Sequence, residues 1–332
     1  RWHVRTDSIR ATTDALSGLW GHIAEEASRD SLGGVTGHEL AHGDPRLAAH
    51  MGGGEHAEGV RVRTRTSVLT LVVVAPRPEM VERAMATVAM LASRNPTRAV
   101  VLTPTDPDGP ARFEAHIYAS CQLPTNGGSE ICTEGILVRA GGGLAQHLSS
   151  TVAPLLIHDL PVVLWWPDDV PFGRPSFTEL ADEVDRLFVD SGHFRGHGLS
   201  RLVAMSDAVY GGLVVHDVSW MRLMLWRELL ASCFDHPLLV RELKHLRSIR
   251  VDVARPGGHV RLSRAVLFVG WLMSRLRLQV AEPLHEAEDG SWVGRVRSGR
   301  RSIEIQIRPV EVEFSGAVRA AGSVVRAELE AH

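Results

Sequence analysis

The run Ile157-His158-Asp159-Leu160-Pro161-Val162-Val163-Leu164-Trp165-Trp166-Pro167 constrains the fold more than any other stretch of this chain. Leu160 to Leu164 lack polar alternation, the pattern of a strand covered on both faces, as in a mainly parallel sheet with helices above and below. Ligands and partners tend to meet such sheets at the carboxyl ends of the strands, where Trp165, Trp166, Asp168 and Asp169 fall.

The neighbouring segments extend this sheet. The pattern predicts a strand over Val68 to Ala75, an amphipathic helix over Pro78 to Ser93 that opens on a favoured proline, and a strand over Ala99 to Thr103. Phe113 to Gln122 and Glu130 to Val138 flank Asn126-Gly127, the dipeptide best suited to a two-residue type I′ hairpin turn. A helix over Leu144 to Ile157, another over Phe177 to Val184 and a strand over Arg186 to Asp190 complete an α/β domain.

Beyond Tyr210-Gly211-Gly212 the pattern changes. It predicts a Trp-rich helix from Ser219 to Phe234, a strand over Ile249 to Ala254, a helix over Ser263 to Leu276 and closing strands at Trp292 to Arg297, Ser302 to Ile307 and Val310 to Phe314. The expected organisation is an N-terminal helix with a His/Gly-rich connector over 1–60, the α/β domain over 61–212 and a smaller α+β domain over 213–332. The folded body is expected to start near Arg61.

At 332 residues, 44% hydrophobic, the chain can give two domains a core each. Its 36 basic and 39 acidic residues give a net charge of -3, so no global field draws it to nucleic acid or a membrane surface. The longest apolar stretch, Ala265 to Met273, falls short of the roughly 20 residues that span a bilayer. Three cysteines fit a reducing cytoplasm better than a secreted disulfide scaffold. The chain opens Arg1-Trp2-His3 rather than on methionine, which leaves its natural start and any removed leader open.

His38-Glu39-Leu40-Ala41-His42 matches the zinc-protease pattern, two histidines one helical turn apart with a glutamate to activate water. That chemistry needs a rigid helix. Gly37, Gly43 and Pro45 bracket this one in a segment with eight glycines between Gly33 and Gly59, and His50, Glu55 and His56 do not fall where a third ligand belongs. Chance occurrence in a His-rich connector is the simpler account.

A two-residue turn at Asn126-Gly127 pairs residues whose numbers sum to 253, so Cys121 faces Cys132. Paired antiparallel residues have Cα atoms about 4.5–5.5 Å apart, inside the range a disulfide accepts. The pair is either a redox-sensitive dithiol or two small buried hydrophobes. Gly141-Gly142-Gly143, between a strand and a helix, could cradle a phosphate but lacks the spacing of a dinucleotide fingerprint or P-loop. A flexible turn explains it as well. There is no Gly-x-Ser-x-Gly elbow, and the 17 histidines are scattered, His147, His158 and His216 lying near element ends. On the Trp-rich helix, Leu223, Trp226 and Leu230 share a core stripe, while Arg222 and Arg227 stay outside and Trp220 is placed to anchor an interface.

Several segments, in order, resemble the glucose-6-phosphate dehydrogenase assembly protein family, OpcA. They are Ser67 to Val74, Ser93 to Arg98, His147 to Leu156, Asp159 to Trp166, the Asp217-Val218-Ser219-Trp220-Met221-Arg222-Leu223 run with Trp226-Arg227 and Leu229-Leu230, and Gly270-Trp271-Leu272 with Arg275-Leu276. The resemblance covers the chain from about Arg61 to its C-terminal strands. It implies a non-enzymatic partner, without cofactor or metal, that binds glucose-6-phosphate dehydrogenase, promotes its active oligomer and raises flux into the oxidative pentose phosphate pathway. In some members that control is linked to redox state through cysteines, which brings Cys121 and Cys132 into question. Trp165, Trp166, Trp220, Arg222 and Arg227 are the candidates for partner binding or for the frame behind it. The competing expectation is a sugar-phosphate or nucleotide enzyme with Asp168, Asp190 and Ser191 near a phosphate held at Gly141 to Gly143.

Overall fold

A computed structural model of the chain describes residues 2–32, 63–65, 67–91, 94–122, 130–311 and 321–331. The His38, Glu39 and His42 motif, the connector and the Asn126-Gly127 turn lie outside the described residues. Two compact units emerge, Arg1–Trp165 with Pro175–Asp185, and Trp166–Arg174 with Arg186–His332. The strand Arg186–Val189 and the helix Leu199–Tyr210, which lie before the boundary expected at 212, group with the second of these units.

The first unit contains β1 (Trp2–Thr6), α1 (Ile9–Leu32), β2 (Arg63–Arg65), β3 (Leu69–Val74), α2 (Pro78–Leu91), β4 (Thr97–Thr105), β5 (Arg112–Gln122), β6 (Glu130–Gly141), α3 (Gly143–Gln146), α4 (Leu148–Val152), β7 (Val162–Trp166) and α5 (Pro175–Ala181). Its strands run β1-β5-β6-β4-β3-β7, with β2 on β6. Strands β6, β4, β3 and β7 are mutually parallel, and β5 is antiparallel to both its neighbours. This is the mainly parallel mixed sheet the sequence predicts. Val72, Val73, Val74, Val100 and Val101 are fully buried, so both faces of β3 and β4 are covered. Each such side chain contributes about 1.5–3 kcal/mol of transfer free energy. Met80, Ala84 and Val88 of α2 pack on one face against Leu71, Val73, Ala99 and Val101. On α1, Thr12, Leu16 and Leu19 are buried.

Three differences from expectation in this unit have physical causes. The folded body does not start near Arg61, since β1 pairs along β5 from Trp2↔Ala119 to Thr6↔Ala115. Five residues are too few for alternation alone to declare a strand. The strand expected at Leu160 to Leu164 runs instead from Val162 to Trp166, with Val162, Leu164 and Trp166 buried and Val163 and Trp165 half-buried, because Leu160 N–H closes a turn onto Ile157 O at 3.1 Å and the ladder with β3 opens at Pro161 O. The single helix expected over Leu144 to Ile157 breaks at His147 (φ -118, ψ 70) and ends in a 3-10 turn, Ala153–Leu155, that contains Pro154. The hairpin register is as expected: Arg112↔Gly141 through Cys121↔Cys132 to Gln122↔Ile131.

The second unit contains β8 (Arg186–Val189), α6 (Leu199–Tyr210), β9 (Val215–Asp217), α7 (Val218–Arg222), α8 (Met224–Cys233), α9 (Pro237–Glu242), β10 (Leu246–Ala254), α10 (Ser263–Leu276), β11 (Gln279–Glu286), β12 (Trp292–Ser298), β13 (Arg301–Val310) and β14 (Val324–Ala331). A five-stranded sheet, β11-β12-β13-β10-β14, packs its apolar face on α10, with Phe268, Ile249, Val251 and Ile307 at the centre. β13 runs through Val310, the rest of the strand expected over Val310 to Phe314 lies outside the described residues beyond Glu311, and the last described strand is β14. The Trp-rich helix divides at Leu223 (φ -77, ψ -4), whose side chain is 2% exposed in the core.

Candidate functional site

The tryptophans after the central strand belong to the frame. Trp165 is half-buried against the cluster beneath α2, and Trp166 is 5% exposed. Trp220, Trp226 and Leu230 are half-buried against the α10 core. Arg227, expected outside, lies over the Trp220 ring at 3.7 Å and donates from Nη2 to Trp220 O at 3.4 Å. A guanidinium stacked this way is worth about 0.5–2 kcal/mol, so Arg227 secures α8 to α7. Arg222 reaches back to Asp190.

Asp190 is the centre of a buried polar cluster in the second unit that joins residues far apart in sequence. Its Oδ1 accepts from Ser219 Oγ at 2.5 Å and Gly192 N–H at 3.1 Å, and its Oδ2 accepts from Arg222 Nη1. Ser219 Oγ in turn accepts from Gly192 N–H at 2.9 Å and Arg264 Nε at 3.1 Å. Beside it, Asp217 Oδ1 takes the N–H groups of Ser191 and Ser219 at 3.0 and 2.9 Å, and its Oδ2 takes Ser191 Oγ at 2.6 Å. The capping logic is local, since Asp217 and Asp190 each precede a helical turn whose first N–H groups have no helical partner.

The two carboxylates differ. Burial pushes both up, but at Asp190 the hydrogen bonds from Ser219 and Arg222 outweigh burial and hold its carboxyl below the usual range. At Asp217 burial prevails over the bonds from Ser191 and Ser219, aided by the Asp190 charge, and the carboxyl sits above the usual range. Burial lowers Arg264, against the pull of Asp190. With its folded pKa below the unfolded one, Asp190 gives stability at neutral pH that is lost as pH falls through the folded pKa. Asp217 has the opposite sign: protonation favours the fold, and its opposing contribution grows as pH rises above the unfolded value. Asp190→Asn is therefore expected to cost roughly 2–3 kcal/mol and Asp217→Asn less, read from urea midpoints at neutral pH. Equal losses would contradict this division of charge.

The enzyme reading drew on Asp168, Asp190 and Ser191 with Gly141 to Gly143. The structure assigns the glycines to the first unit and the other three to the second. Ser191 Oγ and both Asp190 oxygens are committed to the cluster. Gly142 (φ 60) serves a tight turn: its N–H donates to Asp106 O at 3.0 Å, and a Cβ there would meet Gly109 O at 2.7 Å. His147 bonds Glu179 at 2.9 Å, and His216 stacks on Phe188 at 4.7 Å. Among the described residues no group of three or more His, Cys, Asp or Glu could hold a metal ion.

Above this cluster the surface changes character. None of α8 or α9 is buried. Met221, Met224, Leu225 and Leu229 are 46, 51, 70 and 62% exposed, and Leu238, Leu239 and Val240 of α9 are 61, 45 and 46% exposed. Leu225 and Leu229, four apart, occupy one helix face, and exposed Cys233 continues it. Monomeric surfaces rarely expose apolar side chains at this density unless something covers them.

Family models match most of the chain: the glucose-6-phosphate dehydrogenase subunit N-terminal domain over residues 88–204 and the C-terminal domain over 213–330. The apolar helices lie within the second. The OxPP cycle protein OpcA of Nostoc punctiforme is 27% identical over 233 residues, 69% of this chain and 48% of that one. Its counterpart in Synechococcus elongatus is 26% identical over 231 residues, 68% and 49% of the two chains. The chain thus spans about half the length of these curated relatives. Among solved structures, the probable oxidoreductase yhhX overlaps 74% of this chain and 67% of its own at 8% identity and a TM-score of 0.38, too distant to carry an argument. On the two family domains in sequence order, which together account for more than half of its residues, this chain belongs to the OpcA family of glucose-6-phosphate dehydrogenase assembly proteins.

Proposed function

We propose that this protein acts without turnover of its own, binding glucose-6-phosphate dehydrogenase in the cytoplasm and promoting its active oligomeric state in the oxidative pentose phosphate pathway. The observation that carries the reading is the exposed apolar face of α7 to α9, which lies within residues 213–330 matched by the family's C-terminal domain. In this reading the apolar face meets the dehydrogenase, while Trp220, Arg222 and Arg227 hold the frame behind it within the second unit; Trp165 belongs to the core of the first unit and Trp166 is buried at the end of β7. Such a partner shifts an assembly equilibrium only by binding the assembled state more tightly than the dissociated one.

Redox modulation through Cys121 and Cys132 is part of the same proposal. It is supported by the ladder register that sets the two residues directly opposite each other, at a backbone spacing of about 4.5–5.5 Å that suits a disulfide.

The test is dehydrogenase activity, with enzyme from the same organism, as a function of added protein under reducing and oxidising conditions. A saturable rise with co-elution is expected, with a redox dependence that disappears in Cys121→Ser. No rise and no co-elution would refute the adaptor reading; a rise indifferent to redox would refute only the role of the cysteines. Turnover of a sugar phosphate by the isolated protein would return the argument to the sheet edge as an enzyme site.

A further inference from the structure

The first unit holds an open groove of about 1280 Å³ at the carboxyl ends of β1, β4 and β6, lined by Arg5, Arg112, Arg139, Thr105, Asp7 and Asp106 among others. The strand register explains why the three arginines meet. Arg112 and Glu114 are two apart on β5 and so share a face; Arg139 is directly opposite Glu114, and Arg5 is opposite His116. Glu114 is the only carboxylate these strands place among the three guanidiniums. It binds Arg5 Nη2 at 3.0 Å and His116 Nε2 at 2.9 Å. The hydrogen bond from His116, followed by the charges of Arg5 and Arg139, holds its carboxyl below the usual range against some burial.

Neither Arg112 nor Arg139 closes an ion pair or hydrogen bond among the described residues. Like charges on neighbouring strands oppose pairing, so three guanidiniums around Glu114 leave a local positive excess on this face of the strands, with Asp7 and Asp106 elsewhere in the groove. At the loop end, Asp7 and Asp106 present carboxylates that accept no side-chain hydrogen bond among the described residues. Thr105 Oγ1 donates to Ala140 O at 3.3 Å and keeps its lone pairs for a ligand.

We propose that this groove binds a phosphorylated polyol, a sugar phosphate in the simplest case. Guanidinium forks match phosphate oxygens two at a time, which an isolated lysine does not. The carboxylates of Asp7 and Asp106, which line the same groove, accept the hydroxyl protons that a bare phosphate lacks. A purely anionic ligand would be repelled there, and a neutral sugar would leave the arginines uncompensated. The proposal concerns the first unit alone and does not depend on the dehydrogenase reading.

The experiment is calorimetric titration of the full chain with glucose 6-phosphate, with glucose and inorganic phosphate as comparison probes. Saturable binding of glucose 6-phosphate, tighter than that of either comparison, is expected. Arg112→Ala and Arg139→Ala, both at exposed positions, should each weaken it by at least about tenfold, the scale of one charge-assisted hydrogen bond. Arg94→Ala removes the same charge outside the groove and should leave the affinity unchanged. Absence of saturable binding, equal affinity for inorganic phosphate, or equal losses in all three variants would each overturn the proposal. Circular dichroism of the variants separates loss of binding from loss of fold.

Discussion

Replacing Glu134 by alanine is expected to destabilise the first unit by about 3–5 kcal/mol. Glu134 on β6 is the register partner of Arg98 on β4, in the parallel centre of the sheet. The Glu134 side chain is 0% exposed and that of Arg98 9%, with Arg98 Nε donating to Glu134 Oε1 at 2.5 Å. Arg98 Nη1 also donates to Leu155 O at 3.0 Å, so the pair secures the chain where α4 gives way to the 3-10 turn. Without the carboxylate, a guanidinium remains inside the sheet with one carbonyl for company. Urea unfolding followed by far-UV circular dichroism measures the loss. The double variant Arg98→Met with Glu134→Leu should recover most of it, because two apolar side chains remove both desolvation costs together. A loss below about 1 kcal/mol would mean that water reaches the pair, in the manner of a surface ion pair.

Neither member of that pair was visible as such in the sequence, and the reason is general to this fold. Local pattern fixed the elements that bury one face or both: α10 occupies Ser263–Leu276 as its apolar period predicts, and one turn dipeptide set the whole register of β5 on β6. Where burial is weak, the signal is weak. No residue of α6 is buried, and β11 is exposed along nearly its full length, so neither carried a period to read. Breaks at His147 and Leu223 are imposed by tertiary packing, which overrides a continuous helical pattern. The Asp190 cluster joins Ser191 to Asp217 across 26 positions and Ser219 to Arg264 across 45, separations at which sequence spacing says nothing. The arginine groove is different, because Arg112, Glu114 and Arg139 share a face as a direct consequence of pairs that sum to 253. That register was available from sequence; only the question of which charges it gathers had to be asked.

Introducing glutamate at Leu225 and Leu229 together is expected to abolish binding to the dehydrogenase while leaving the fold intact. The two side chains are 70 and 62% exposed, so the substitutions remove little burial, and glutamate favours helix nearly as well as leucine. Stability should change by no more than about 0.5 kcal/mol each way. At an interface the effect is much larger. Apolar anchors at the centre of a contact cost at least about 2 kcal/mol each when lost, and two buried carboxylates add their own desolvation. The protein concentration giving half-maximal activation should therefore rise by at least about a hundredfold, with co-elution lost. Trp226→Ala is the informative contrast. Trp226 packs edge-on to Phe268, with ring centroids 6.5 Å apart, and its removal should lower stability by about 3–5 kcal/mol before it touches binding. An interface residue and a frame residue on the same helix are thus distinguished by which measurement moves first. Undiminished activation by the double glutamate variant would shift the contact away from α8 and leave the exposed leucines to another partner.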